Sequence, residues 1–346
     1  MFNWISNLPL AIVMLLVMSF IMSKASDKLG DVLHELGVKL NIPTSVRGAT
    51  FDAISSSFPE FSTAMIAVLV FNDFSNVGVP TIAGSGIFNI LIIPMLSILA
   101  YRGNKIIKAD RNNILRDMVF YSLSVGTLIF FTYTGSYNAL SGLVLITIYC
   151  AYVGVLYMQT KKHRSVTNIV DVKGEAAVTL EIENSEDVDD MSYGKMIIWI
   201  VIAIALIWIT IEAIVQSATV ISDGLHIPKY IVSVIILAAC TSIPDTILSV
   251  KSAKEGDIEG AVANAVGSNI FDICLCLGIP MIISGQVLPA NFGQNAGVLA
   301  FLIISMVTTA MVLLKKKGAT KKDAVIMSVV YLAFLAYIIG VGINLF

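Results

Sequence analysis

The sequence predicts an all-α polytopic membrane protein: ten transmembrane helices in two inverted five-helix repeats, with helices broken at an internal polar site. Three observations carry this. The chain of 346 residues is 57% hydrophobic and only 13% charged, too apolar for a soluble domain. Its apolar residues fall into ten stretches, each near the length that crosses ~30 Å of hydrocarbon. Two distant segments also repeat one another. Residues 42–60, IPTSVRGATFDAISSSFPE, align without a gap on residues 227–245, IPKYIVSVIILAACTSIPD, at an offset of 185.

The predicted spans are 8–23, 46–71, 79–101, 115–134, 139–159, 196–216, 230–250, 258–283, 296–314 and 324–345. The first has no basic residue before it and no small-x-small cleavage site, so it is expected to be a retained span rather than a signal peptide. Loops one, three, five, seven and nine, with the adjoining span ends, hold 21 of the 22 Lys and Arg residues; the even loops hold only Lys229. The positive-inside rule therefore predicts cytoplasmic odd loops and extracellular termini in the cell (plasma) membrane. The cluster Lys315, Lys316, Lys317, Lys321 and Lys322 serves that orientation, with binding of anionic lipid as its other reading. Loop five, about 160–194, starts basic and turns acidic (Glu181 to Asp190). It lacks a twelve-residue calcium loop and reads as a solvated linker. The predicted organisation is a first repeat at 1–159, a cytoplasmic linker at 160–194 and a second repeat at 195–346.

Net charge is −2, so nothing points to nucleic acid. The four cysteines, Cys150, Cys240, Cys274 and Cys276, lie in apolar segments without zinc-ligand spacing and read as small buried residues. No cofactor is expected. The partners are inorganic cations and the lipid bilayer, and the chain is expected to work as a monomer.

Each repeat carries two polar motifs inside apolar spans. Ser55-Ser56-Ser57-Phe58-Pro59-Glu60 matches Cys240-Thr241-Ser242-Ile243-Pro244-Asp245. Gly84-Ser85-Gly86-Ile87-Phe88-Asn89-Ile90 matches Gly267-Ser268-Asn269-Ile270-Phe271-Asp272-Ile273 at an offset of 183. Five spans per half make the halves inverted, an architecture that places substrate near the bilayer midplane where the repeats meet. A carboxylate in hydrocarbon is costly and marks function by default. Proline at 59 and 244 removes the N–H that would bond the carbonyls of Ser55 and Cys240, and a bound cation can satisfy a freed carbonyl. Ser56, Ser57 and Glu60, then Thr241, Ser242 and Asp245, add oxygens about one turn apart. Calcium accepts such mixed ligation. Ser85 and Asn89, like Ser268 and Asp272, are spaced i, i+4 and face one way. A plain kink with hydroxyls bonded to helix carbonyls is the bland alternative; two matching copies favour the site. Gly84 and Gly267 are expected to let helices approach closely.

At these motifs the chain resembles the cation/calcium antiporter superfamily, and within it the potassium-dependent sodium/calcium exchanger branch. Ser57-Phe58-Pro59-Glu60, Thr241-Ser242-Ile243-Pro244-Asp245 and the two Gly-Ser motifs carry the likeness, over roughly a quarter of the chain. The resemblance implies a calcium site shared by Glu60 and Asp245, and sodium sites using Ser56, Ser57, Ser85, Asn89, Thr241, Ser242 and Ser268. It further implies that Asp272 underlies potassium co-transport, and that spans one and six are the moving gate. Two features depart from the pattern. Cys240 stands where glycine is expected, and Asp52 lies in a position the family keeps apolar, either pairing with Arg47 or lining the inward path.

The expected function is secondary active antiport of sodium for calcium, with potassium, by alternating access. The first rival is a proton/calcium exchanger, because crowded carboxylates can carry protons; the second is a cation channel. An intramembrane aspartyl protease would need a Gly-x-Gly-Asp context that neither motif provides, so the chain is not read as an enzyme.

Overall fold

The computed structural model describes residues 2–40, 42, 47–102, 111–171, 191–316 and 318–342. Its helices are α1 (Leu8–Lys39), α2 (Ala53–Leu69), α3 (Val79–Ala100), α4 (Arg111–Tyr133), α5 (Ala139–Asp171), α6 (Tyr193–Leu225), α7 (Lys229–Val232), α8 (Ala238–Thr241), α9 (Ile243–Glu255), α10 (Ile258–Phe271), α11 (Gly278–Ile283), α12 (Phe292–Leu313) and α13 (Lys321–Gly342). Among the described residues four π-helical turns interrupt them, at Gly48–Asp52, Phe74–Gly78, Ser233–Leu237 and Asp272–Cys276. Among the described residues, eight helical segments are long and apolar enough to cross a bilayer. The segment from α7 through α9, bent by 43° at Ser242, makes a ninth. The tenth expected span corresponds to α2, 17 residues long and buried along most of its length.

Several boundaries differ from the hydropathy reading. Helix α1 does not stop near residue 23 but runs on through Lys24, Asp27, Lys28 and Asp31 to Lys39. Its extension is amphipathic. Met22, Ala25, Ser26, Leu29, Val32 and Leu33 are buried, while Lys24, Asp31 and His34 are exposed. A hydropathy window sees only the fully apolar first half; an i, i+3/i+4 stripe carries the second. Helix α5 likewise continues to Asp171, inside the segment expected to be linker. Most of that linker, 172–190, lies outside the described residues.

Connections between helix ends obey the alternation expected of membrane spans. On one face, Ser136–Tyr137 of loop four pairs antiparallel with Leu288–Pro289 of loop eight. There, too, Gln294 Nε2 donates to Asn76 Oδ1 at 3.0 Å, joining loops two and eight. Odd loops meet likewise: Arg116 Nη1 donates to Gln159 Oε1 at 2.7 Å, joining loops three and five. Glu35 and Lys39 at the end of α1 hold the backbone of Met191 just before α6.

The interior is built from repeat-equivalent elements. The apolar windows of Phe74–Ala100 and Gly260–Ile283 are each 72% buried, against 33% for α1 and α6. Spans three and eight therefore form the centre, and spans one and six its flank. Helix α1 lies along α6 in the most extensive helix pairing among the described residues. Met22, Ala25, Leu29 and Leu33 pack there with Ala203, Ile207, Ile211 and Ile214, in an apolar cluster distinct from the main core. The outer surface is apolar, with Leu16 and Phe20 on α1, Ile197 and Val201 on α6 and Leu332 on α13 exposed, as a lipid-facing surface requires. The turns Gly48–Asp52 and Ser233–Leu237 lie at the same offset, 185, as the sequence repeat.

Two packing details follow from single residues. Pro59 leaves the Ser55 carbonyl without its helical donor, and the hydroxyl of Ser26 on α1 fills that role at 2.6 Å, fully inside the protein. A side chain of the flanking helix, rather than a cation, satisfies this carbonyl. Gly84 permits the close crossing expected of it: an added Cβ would lie 2.1 Å from the Val234 carbonyl oxygen and 2.9 Å from Ala238 Cβ. Gly267 does not have that role, since an added Cβ would meet only Tyr152 Oη, at 3.8 Å.

These contacts predict distinct stabilities in detergent, read as unfolding midpoints. Gly84→Ala is expected to destabilise by about 1–3 kcal/mol, and Gly267→Ala to be neutral or up to about 1 kcal/mol stabilising. Ser26→Ala, which strands a buried carbonyl, is expected to cost about 1–3 kcal/mol. In a Pro59→Ala background residue 59 regains its N–H, so the same Ser26→Ala change is expected to cost within ~0.5 kcal/mol.

Candidate functional site

The site forms where the four polar motifs meet. Helix α2 brings Ser56, Ser57 and Glu60, and α3 brings Ser85 and Asn89. Thr241 ends α8, Ser242 occupies the bend, and Asp245 lies in the first turn of α9. Helix α10 brings Ser268, and Asp272 opens the π-helical turn that follows. That turn widens the helix locally, a feature that often re-aims side chains at functional sites. All ten residues are buried, and Ser57, Glu60, Ser85, Asn89, Thr241, Ser242, Asp245 and Asp272 are wholly inaccessible.

Glu60, Asp245 and Asp272 converge: one carboxylate oxygen from each lies within 4.8 Å of the others. No ion pair among the described residues involves any of the three. Hydroxyls and amides join them into one network. Ser85 Oγ donates to Glu60 Oε1 at 3.4 Å, and so does Ser242 Oγ. The two hydroxyls are 2.9 Å apart. Asn89 Nδ2 reaches Ser85 Oγ at 3.3 Å and Asp245 Oδ2 at 3.5 Å. Ser268 Oγ lies 2.9 Å from Asp245 Oδ1.

The network repeats across the two halves. Ser85 approaches Glu60 as its counterpart Ser268 approaches Asp245. Thr241 faces Glu60 from one half as Ser56 faces Asp245 from the other. Glu60 and Asp245 thus each see their own repeat through the serine of the Gly-Ser motif and the opposite repeat through a hydroxyl beside the Pro-acid motif. Three hydroxyls also serve helix carbonyls. Ser56 Oγ lies 3.1 Å from the Asp52 oxygen, Thr241 Oγ1 3.2 Å from that of Ala238, and Ser268 Oγ 2.8 Å from that of Asn264. Ser57 faces Asp272.

Four buried oxygens in this cage have no hydrogen-bond partner: Glu60 Oε2, Asp272 Oδ2, Ser57 Oγ and Asn89 Oδ1. Buried polar atoms are normally paired, and each exception calls for an explanation. Two carboxylates, a hydroxyl and an amide carbonyl form a hard oxygen donor set, the kind that calcium and other hard cations take. The residues present therefore fit a dehydrated cation.

Sequence reasoning missed some members of the site. Cys276, read as a small apolar residue, sits 3.6 Å from Asp272 Oδ1 and 3.7 Å from the Ser57 carbonyl. Its i+4 spacing from Asp272 was the available signal. Asn269 Nδ2 donates to the Gly86 carbonyl at 3.0 Å and to Tyr121 Oη at 3.3 Å, tying the two Gly-Ser motifs together. Asn264 bonds Ser249 at 2.9 Å beside the acid cluster and falls on the i, i+4 line of Ser268 and Asp272. Asp52 lies outside the cage. Its Oδ1 is 3.6 Å from His34 Nδ1 of α1, and of the two readings offered for it, the pairing with Arg47 is not among the ion pairs of the described residues.

Comparison with known proteins places this geometry. The family described as sodium/calcium exchanger protein matches residues 10–158 and 195–340. The chain is 25% identical to the inner membrane protein YrbG of Escherichia coli over 299 residues, covering 86% of this chain and 87% of that protein. It is 33% identical to sodium/potassium/calcium exchanger 4 of mouse over 162 residues, but spans only about a quarter of that protein's length and 46% of its own. Among solved structures, the H+/Ca2+ exchanger CAX superposes with a TM-score of 0.72 at 15% identity, covering 95% of this chain and 82% of that one. The sodium-calcium exchanger NCX_Mj superposes with a TM-score of 0.61 at 22% identity, over 94% and 97%. The chain shares the inverted-repeat membrane fold of these exchangers, and it belongs to the sodium/calcium exchanger protein family of cation/calcium exchangers.

Proposed function

We propose that this protein is a secondary active antiporter that moves calcium against sodium, with potassium co-transported, by alternating access. The observation that carries the reading is the meeting of Glu60, Asp245 and Asp272 within 4.8 Å, wholly buried and unpaired with any basic side chain among the described residues. Three ionised carboxylates carry a formal charge of −3. One calcium with one monovalent cation neutralises that charge, and three monovalent cations do so equally. An uncompensated charge is too costly at this depth, so the cage crosses the membrane loaded with one set or the other.

Glu60 and Asp245 take calcium, and Asp272 supplies the further charge that favours a monovalent partner. Ser56, Ser57, Ser85, Asn89, Thr241, Ser242 and Ser268 complete the coordination of sodium. The name of the mouse relative, a sodium/potassium/calcium exchanger, supports the potassium assignment. Helices α1 and α6, packed on one another beside Ile66 and Ala67 of α2, move as the gate. The protein sits in the cell membrane, as the name of the bacterial relative indicates for that protein, with its odd loops cytoplasmic and both termini outside.

Purified protein in proteoliposomes, with radiolabelled calcium and separately imposed sodium, potassium and proton gradients, tests the proposal. An outward sodium gradient is expected to drive uptake, and potassium to be required. Uptake driven by a pH gradient without sodium would instead identify a proton/calcium exchanger. Breaking a buried charge interaction costs about 3–5 kcal/mol, so Glu60→Gln and Asp245→Asn are each expected to lower calcium affinity by more than about a hundredfold. Near-normal transport by both variants would refute the site. Asp272→Asn is expected to keep calcium transport and lose its potassium requirement; unchanged potassium dependence rejects that role.

A further inference from the structure

Between them, α4 and α12 leave an open groove of about 470 Å³, lined by none of the ten cage residues. Its walls include Met118 and Ser122 on α4 and Met306, Ala310 and Met311 on α12, with Leu314 at its end. Methionine walls adapt to flexible apolar guests. With ~30 Å³ for a water-sized group, the groove holds about fifteen such groups, the scale of one acyl chain.

The end of this groove is basic. Leu314 is followed directly by Lys315 and Lys316, both exposed. A tight hairpin then returns the chain to α13: Gly318 takes a positive φ of 79°, and its N–H bonds the Lys315 carbonyl. Asp323 accepts from the Thr320 N–H and hydroxyl and from Lys315. Lys316 lies on this connection and Lys321 and Lys322 open α13, all three exposed; the pairing of Lys315 with Asp323 holds the two ends together.

We propose that this groove and its lysine rim form a binding site for one anionic phospholipid, with an acyl chain between α4 and α12 and the headgroup on Lys316, Lys321 and Lys322. Apolar walls alone would accept any lipid; the positive rim selects a negative headgroup. Loop nine lies on the odd-loop side, where anionic lipid attracts basic residues in a cytoplasmic leaflet. Each basic side chain near the headgroup raises affinity roughly fivefold.

Native mass spectrometry of the delipidated protein, incubated with phosphatidylglycerol or phosphatidylcholine, tests this without reference to ion transport. The unaltered protein is expected to retain one phosphatidylglycerol in preference to phosphatidylcholine. Replacing Lys316, Lys321 and Lys322 together by Gln is expected to weaken that retention roughly a hundredfold. Ala310→Phe, which fills the groove and leaves the lysines intact, is expected to abolish it. Met311→Asp, at an exposed position of the same wall, serves if Ala310→Phe does not fold. Equal retention of the two lipids overturns the proposal, as does phosphatidylglycerol retention that survives either the lysine or the groove substitution. Displacement of the lipid by glycerol phosphate alone would show that the headgroup suffices and would overturn the role of the groove.

Discussion

Three acidic side chains lie in the middle of this protein with no positive side chain beside them among the described residues. Water would solvate them and hydrocarbon cannot, so the surrounding polypeptide has to supply dipoles and the solution has to supply charge. Much of the interior follows from this demand. Helices are widened or broken beside the carboxylates, at Asp272–Cys276 and at Ser242, because an unbroken helix would keep its polar groups to itself. Hydroxyls and amides crowd around the acids from both halves, yet four oxygens stay unpaired. A polypeptide that leaves such atoms unpaired at this depth is shaped for a guest that carries charge.

The same demand explains how the two halves are divided. The central spans Phe74–Ala100 and Gly260–Ile283 are far more buried than α1 and α6. The outer pair packs along itself, in an apolar cluster that also takes in Ile66 and Ala67 of α2. Between the two regions runs the hydrogen bond from Ser26 to the carbonyl of Ser55, five residues before Glu60. Proline at 59 creates the opening for that bond, so the kink and its relief come from different helices.

Much of the architecture was legible from residue order. Inversion followed from an odd number of spans between copies of one motif, and the four polar motifs named the ten residues that converge. Amphipathic continuation was harder to see. Beyond Ser23 the first helix alternates buried and charged positions, which reads as a loop to a hydropathy window and as a helix only beside α6. The two glycines show the same limit. Gly84 and Gly267 hold equivalent places in the repeat, but only Gly84 meets a neighbouring backbone, because the halves diverge in what packs against them. Cys276 looked apolar in its segment, and only its i+4 spacing from Asp272 hinted at its place beside that carboxylate in the polar cage.

The chain by itself determined that acids would be buried in a bilayer, in two inverted copies, beside proline and serine, because composition, spacing and repeat offset are properties of order alone. Folding decided which oxygens share a cavity, which carbonyl Ser26 relieves, and that Asp52 turns to His34. Those choices depend on distances between helices far apart in the chain, and only close packing sets such distances.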